Sequence, residues 1–288
     1  APGDYILEIS QYSDLDYSSA ASAFTVDFNS VDYYENSLLP NDTLFASQWH
    51  LLNTGQAGGI DDEDIFAPEA WNIRSTSPDV VVAVIDEGIQ LDHPDLDDNL
   101  WTNSDEIFGN GIDDDNNGYV DDIYGWNFPA NSNLPYSDIN YSHGTHVAGI
   151  IGAEGNNGTG TTGVTWDTQL MSLDVFNGSD GAYDSDIIDA IYYAADNGAD
   201  VINMSLGSTY EYTTIADWRI FDPNGYSAYY EALSYAVDQG ATVVIAAGNE
   251  DANTGTHLSI PAAFSSVIDG VISVAAVANT GDLTDYTN

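Results

Sequence analysis

A continuous run of apolar residues from Val80 to Ile85 follows an irregular stretch of chain and ends at Asp86. Such a run is typical of a strand buried on both faces, as in a parallel sheet. Four further runs predict strands, at 170–175, 201–206, 242–247 and 271–277. Between them lie stretches with helical spacing of apolar or small residues, which predict helices at 143–153, 185–197 and 226–239.

This alternation predicts an α/β fold, with a doubly wound, mostly parallel sheet and helices on both faces, in three layers. In such sheets the functional groups lie at the carboxyl ends of strands, where we expect Asp86, Ser205 and Asn249. Residues 1–40 differ in composition from the rest of the chain, because they are rich in Tyr, Ser and Asp. We interpret them as an extension with a short strand around Phe24, Val26 and Phe28.

The charge balance narrows the classes of partner. The chain has 288 residues with 2 basic and 47 acidic side chains, a formal net charge of -45. This excludes nucleic acid as a partner and a basic anchor to a membrane surface. Hydrophobic residues make up 43% of the chain, which is enough to bury a core. No apolar run reaches the roughly 18 residues of a membrane span, and the chain has no cysteine. We expect a monomer.

Three groups of residues carry candidate chemistry. Asp86 closes a buried strand, where an isolated carboxylate is more often a structural cap. His143 and His146 open a predicted helix, whose dipole is expected to lower the pKa of His143. Their spacing also permits shared metal ligation, although no third ligand is evident. Asn249 follows a strand and has an amide able to donate to an oxyanion, although alone it is typical of a turn.

Four sequence blocks occur in a meaningful order. They are Ala83-Val84-Ile85-Asp86-x-Gly88, His143-Gly144-Thr145-His146-Val147-Ala148-Gly149, Val201-Ile202-Asn203-Met204-Ser205-Leu206-Gly207 and Ala246-Ala247-Gly248-Asn249. In this order they resemble the subtilisin-like serine proteases, or subtilases. The resemblance covers residues 41–288 and implies a subtilisin-like peptidase domain that hydrolyses peptide bonds through an Asp-His-Ser triad.

The resemblance assigns roles by position. It implies that Asp86 orients the imidazole and that His143 is general base and then general acid. Asn249 would donate to the oxyanion. Protein or peptide substrates would pair with backbone as an added strand. The substrate-binding residues it implies are Ser205, Leu206, Gly207, Ala247 and Gly248.

Two departures from the family pattern matter. Glu87 stands where the family usually has Ser or Thr, and its carboxylate is expected to raise the pKa of His143 if it points inward. No Gly-Thr-Ser-Met-Ala block is present, so the nucleophilic Ser is absent from the sequence. We therefore expect a domain that is incomplete at its C-terminal end, stops inside a strand, and is inactive as given. Residues 1–40 are either a propeptide tail or a plain N-terminal arm.

An acidic loop predicts bound Ca²⁺. Its spacing is that of a calcium loop, with Gly118 at the sharp turn and Tyr124 where Glu is usual. The alternative is a solvated acidic loop. The predicted ligands are Asp113, Asp115, Asn117, Asp121 and the carbonyl of Tyr119. The resemblance implies a second calcium site that uses Asp95 and Asn157.

Other functions stay open on the sequence alone. One is a non-catalytic module for calcium-dependent adhesion or scaffolding at a cell surface, which fits the acidic loops and the missing Ser. Another is a calcium-binding structural protein of unrelated fold. The family reading implies a secreted or cell-surface protein. Glu250, near the expected pocket for the P1 side chain, adds an acidic rim that suits a basic residue, whereas an apolar one is the family's usual preference.

Overall fold

A computed structural model describes residues 38–135, 142–178, 181–252 and 256–288. Its centre is a six-stranded parallel sheet. The strands are β1 (Val81–Asp86), β2 (Gly125–Asn127), β3 (Gln169–Asp174), β4 (Val201–Met204), β6 (Thr242–Ala246) and β8 (Val271–Val274), in the order β2-β3-β1-β4-β6-β8. A separate antiparallel pair joins β5 (Ser208–Tyr210) to β7 (Leu258–Ile260).

Helices cover both faces of the large sheet. The described helices are α1 (Ala67–Trp71), which packs in a separate small cluster, α2 (His143–Gly152), α3 (Asp184–Asp196), α4 (Ile215–Phe221) and α5 (Pro223–Asp238). Alternate residues of β1 enter different cores: Ala83 and Ile85 pack in the cluster with α3 and α5, whereas Val82 and Val84 pack with Ala148 of α2. The sheet is therefore buried on both faces, and the predicted three-layer α/β fold is confirmed.

The predicted elements exist, with changes at their ends. Strands β4 and β6 end at Met204 and Ala246, so Ser205 and Asn249 lie in the turns beyond the strands rather than at strand ends. Helix α5 begins at Pro223 instead of residue 226. Pro at the first helical position costs no hydrogen bond, and Asp222 Oδ1 accepts the N–H of Gly225 at 2.9 Å as a cap.

The segment at 208–226 contains β5, α4 and the start of α5. Its Trp218 is 4% exposed and packs against Tyr229 and Phe264. This packing makes the segment a cover over the core. The large rings bury much apolar surface here, which stabilises the end of the α3–α5 layer.

The chain after β8 differs from the prediction. The strand ends at Val274 rather than at residue 277, and backbone bonds between Ala276 and Thr284 turn the chain back. The last residues form turns, so the expectation that Asn288 falls inside a strand is wrong. On the edge strand β8, Ile272 and Val274 are 48% and 50% exposed.

Some predictions fall outside the described residues. The strand proposed around Phe24, Val26 and Phe28, and residues 1–37 of the proposed extension, lie there. Among the described helices, none has the length and hydrophobicity that crossing a bilayer requires.

Candidate active site

Asp86 and His143 meet at the carboxyl edge of the sheet. Asp86 is the last residue of β1 and is fully buried, while His143 is the first residue of α2. His143 Nδ1 lies 2.8 Å from Asp86 Oδ1 and 3.0 Å from Oδ2. A buried carboxylate that accepts the Nδ1 proton leaves Nε2 as the basic atom of the ring, which is the arrangement a general base requires.

A glycine permits this approach. A Cβ on Gly144 would lie 2.4 Å from the carbonyl oxygen of Gly88 and 3.1 Å from Asp86 Cβ. Only glycine allows α2 to come this close to the turn after β1. The start of this turn is also bonded to the carboxylate, because the backbone N–H of Glu87 donates to Asp86 Oδ1 at 2.8 Å.

The pKa of His143 is raised, not lowered as the helix dipole alone suggested. The hydrogen bond that His143 Nδ1 donates to Asp86 is the main cause, and the charges of Asp86 and Glu87 add to it, while burial acts in the opposite direction. Glu87 points inward: its Oε2 accepts the backbone N–H of His143 at 3.0 Å. The attraction of the two carboxylates for the imidazolium therefore exceeds the opposing effect of burial.

The predicted substrate-binding residues lie on two neighbouring turns. Because β1, β4 and β6 are adjacent and parallel, the turns after them share one edge of the sheet. The segment from Ser205 to Gly207 links β4 to β5, and Asn203 Nδ2 donates to Ser205 Oγ at 3.1 Å. Among described residues, the direct hydrogen bonds between predicted catalytic groups are those of Asp86 with His143.

The second turn carries the exposed Asn249. Gly248 has a φ of 117°, and a Cβ there would lie 2.1 Å from Asn288 Nδ2. Ala247 is anchored to the sheet through its N–H, which donates to Val274 O at 2.9 Å. Asn249 is thus presented by a turn whose backbone requires glycine and is tied to β8.

Glu250 is engaged within the protein. Its Oε2 accepts from Thr209 Oγ1 at 2.8 Å, Asn288 Nδ2 at 2.8 Å and Asn249 N at 3.0 Å. These bonds lower the pKa of Glu250, so it stays ionised. The carboxylate has structural partners, which weakens its interpretation as a free rim for basic P1 residues.

The acidic loop brings two of the predicted ligands, Asp113 and Asp115, together with a third carboxylate, Glu106. Carboxylate oxygens of Glu106, Asp113 and Asp115 lie within 4.8 Å of one another. Asp121 instead accepts the backbone N–H groups of Asn110 and Gly111, at 3.0 and 2.9 Å. Asp121 therefore holds the loop rather than joining the carboxylate cluster. Glu106 lies before the twelve-residue frame, where loop spacing cannot indicate it.

Asn117 and Tyr119 contribute to the shape of this loop. Asn117 Nδ2 donates to Asp115 Oδ2 and Asp122 Oδ2, both at 3.0 Å, and its Oδ1 accepts the N–H of Tyr119 at 2.8 Å. Asp122 is fully buried and also bonded to Tyr193. The loop is thus joined to α3.

The two residues of the second predicted cation site, Asp95 and Asn157, lie next to each other. Asn157 Nδ2 lies 3.0 Å from Asp95 Oδ1, and Asp95 is 3% exposed. Asp42, which the sequence reasoning missed, is 5% exposed and accepts the N–H of Asn156 at 2.7 Å. Within the described part of the chain neither Asp42 nor Asp95 pairs with a base, and such buried carboxylates suit a hard cation. A metal site at His143 and His146 has no structural support, because no cluster of three metal-binding side chains forms around them within the described residues.

Comparison with known proteins gives the same reading. The sequence profile of the subtilase family matches residues 77–288. The chain is 32% identical over 264 residues to the thermophilic serine proteinase of Bacillus sp. (strain AK1), covering 90% of this chain and 52% of that protein. It is 34% identical over 273 residues to the extracellular protease of Xanthomonas campestris pv. campestris, covering 88% of this chain and 41% of that protein.

A solved structure agrees. The structure described as proteases from Pseudoalteromonas arctica PAMC 21717 superposes with a TM-score of 0.60 at 32% identity, over 87% of this chain and 69% of that one. The chain thus spans about half the length, or less, of the two relatives above. The family profile covers most of the chain, and the parallel sheet, the Asp86–His143 pair and the relatives all agree with it. This chain therefore belongs to the subtilase family of serine proteases.

Proposed function

We propose that this chain supplies the Asp and His of a serine endopeptidase that hydrolyses protein or peptide substrates. The observation that carries the proposal is the short contact of His143 Nδ1 with the fully buried Asp86. The family membership supports the reaction class. The same contact argues against the alternative of a non-catalytic adhesion module, which has no use for an aligned imidazole.

The reaction follows from this geometry. A serine hydroxyl attacks the peptide carbonyl and gives its proton to Nε2 of His143, while Asp86 stabilises the imidazolium that forms. His143 then returns that proton to the leaving amine. The amide of Asn249 donates to the oxyanion, and residues 205–207 with Ala247 and Gly248 pair with the substrate backbone.

The nucleophile has to come from outside this sequence, because no Gly-Thr-Ser-Met-Ala block occurs in it. We expect the 288-residue chain alone to hydrolyse no peptide and to resist labelling by a fluorophosphonate. A longer polypeptide that joins it to such a block should hydrolyse peptides and be labelled at that Ser. Hydrolysis by the chain alone would contradict the assignment of the nucleophile, and an unlabelled, inactive longer polypeptide would contradict the proposed function.

We also propose that Ca²⁺ binds at two places. The residues present fit a hard cation, since the loop places three carboxylates within 4.8 Å of one another and the chain has two bases to 47 acids. At the first site, Asn117 and the carbonyl of Tyr119 would complete the set of Glu106, Asp113 and Asp115. The second would use Asp42, Asp95 and Asn157. When bound, the ion neutralises the clustered carboxylates and fixes the loops.

Calcium binding is tested by the melting temperature. A ligand that binds only the folded state stabilises it by mass action, so millimolar Ca²⁺ should raise the Tm and a chelator should lower it. Asp113→Asn should reduce this shift, whereas Asp61→Asn, which removes one exposed charge elsewhere, should leave it unchanged. Equal Tm values with and without chelator would contradict the proposal.

The compartment and the assembly are part of the same proposal. An extracellular protease is among the relatives, which supports secretion or display at the cell surface. We propose a monomer, and a propeptide function for part of residues 1–40. Fractionation of the native host tests secretion, and the molar mass in solution tests the monomer.

A further inference from the structure

Glu87, which replaces the family's usual Ser or Thr, contacts the catalytic pair in two ways. Its backbone N–H donates to Asp86 Oδ1 at 2.8 Å. Its side-chain Oε2 accepts the backbone N–H of His143 at 3.0 Å. The same Asp86 oxygen lies 2.8 Å from His143 Nδ1. One residue therefore binds the carboxylate with its main chain and the histidine with its side chain.

The start of α2 explains why this contact matters. The first backbone N–H groups of a helix have no partner inside the helix and need an acceptor. Ser142, at the N-cap position, accepts no hydrogen bond with its side chain in the described part of the chain. The carboxylate of Glu87 takes this place from another segment, and a negative charge is favourable at a helix N-terminus. The amide that it binds belongs to His143 itself.

We propose that Glu87 is a positioning residue, whose carboxylate fixes the backbone of His143 to the turn after β1 so that the imidazole meets Asp86. These two contacts and the bond of His143 Nδ1 to Asp86 form a closed circuit of three hydrogen bonds through Asp86, Glu87 and His143. The Glu87 bond opposes a rotation of the first turn of α2 that would carry the imidazole away from Asp86. The proposal rests on the catalytic role proposed for His143.

The charges around the imidazole come from several elements. Asp86 ends β1, Glu87 begins the next turn, and both raise the pKa of His143. His146 lies one helical turn further along α2 and is exposed. From the next strand, Asp174 lies in register with Asp86 and is buried. Glu87 thus adds a charge to the ring's environment as well as a hydrogen bond to its backbone.

The test is NMR on the ¹⁵N-labelled 288-residue chain carrying Glu87→Ala or Glu87→Gln. In Glu87→Ala, the titration midpoint of the His143 ring should fall, and the His143 amide should exchange with solvent about tenfold faster. Glu87→Gln loses the charge but keeps an acceptor, so its midpoint should fall with a smaller change in exchange. Asp222→Asn, at the N-terminus of α5, removes a capping carboxylate remote from this pair and should change neither.

A Glu87→Ala chain that is folded and keeps both the midpoint and the exchange rate of the wild type overturns the proposal. If Glu87→Ala does not fold, Glu87→Gln decides, since an unchanged midpoint there overturns it. These readouts need no nucleophile. They can fail while the longer polypeptide hydrolyses peptides, or succeed while it does not, so the two proposals are tested separately.

Discussion

At the scale of single residues, the site depends on a strong asymmetry in burial. Asp86 is fully buried, whereas the side chain of His143 is 56% exposed. The carboxylate is shielded from water, and the ring remains accessible. A buried anion against an accessible imidazole favours the protonated ring, which is the form that a general base must reach during the reaction.

This asymmetry predicts how stability depends on pH. The pKa of His143 in the folded chain is raised above its usual value of 6.5. The imidazolium contact with Asp86 therefore stabilises the fold fully below that value, and the effect is lost as pH rises through the raised pKa. Urea unfolding should show the wild type more stable than His143→Gln at pH 5.5, with a smaller difference at pH 8.5. A difference that grows with pH would contradict the account.

Some residues of the site were predictable and others were not. Asp86 and His143 lie in short blocks whose neighbours fix their place, so sequence alone indicates them. Glu106 and Asp42 reach their clusters through long-range folding, and no local spacing marks them. The helix end alone suggested a lowered pKa for His143, whereas the inward-pointing Glu87 and the buried Asp86 raise that pKa, as expected for a carboxylate facing the ring.

At the scale of elements, the close contact of α2 with the turn after β1 sets the site. Gly144 lies where a Cβ would overlap Gly88 O at 2.4 Å, whereas Gly149 on the same helix has open space around its Cβ position. The two glycines therefore differ in purpose. The first permits the contact of the elements, while the second carries only the cost of glycine in a helix.

These glycines form a matched pair for mutation. Gly144→Ala should move α2 away from β1 and destabilise the chain by about 1–3 kcal/mol, through overpacking against backbone. Gly149→Ala should be neutral or stabilise by about 0.5–1 kcal/mol, because alanine favours the helix. Urea unfolding with circular dichroism measures both. Equal effects of the two substitutions would show that the contact at Gly144 does not constrain the helix.

The ends of elements were the least predictable part of the fold. Apolar periodicity indicated the strands and helices, since both faces of the sheet are buried. It could not place the end of β8, where the chain turns through the bonds between Ala276 and Thr284 after Val274. The apolar residues that continue to residue 277 led to a predicted strand longer than β8. Hydrogen bonds within the chain after Val274 end the strand earlier.

At the scale of the whole molecule, the net charge results more from the scarcity of basic residues than from an excess of acidic ones. Within the described residues, a single ion pair forms, between His143 and Asp86. Many carboxylates instead accept backbone N–H groups, as Asp95, Asp121 and Asp222 do. The remaining charge of this -45 chain repels itself across the surface.

This repulsion predicts a dependence on salt. Screening shortens the range of repulsion to about 3 Å at 1 M ionic strength, so molar NaCl should raise the Tm above its value in dilute buffer. Chelator present in both samples separates this effect from calcium binding. A Tm that is equal in both buffers would contradict the expected role of the surface charge.

The most direct test of the central claim is peptide hydrolysis by the polypeptide that joins this chain to a Gly-Thr-Ser block. The account predicts that His143→Ala lowers kcat by at least about a hundredfold, because the serine loses its general base, while the fold persists. Asp61→Asn serves as the matched surface control. Hydrolysis by His143→Ala at the wild-type rate would contradict the assignment of His143 as the catalytic base.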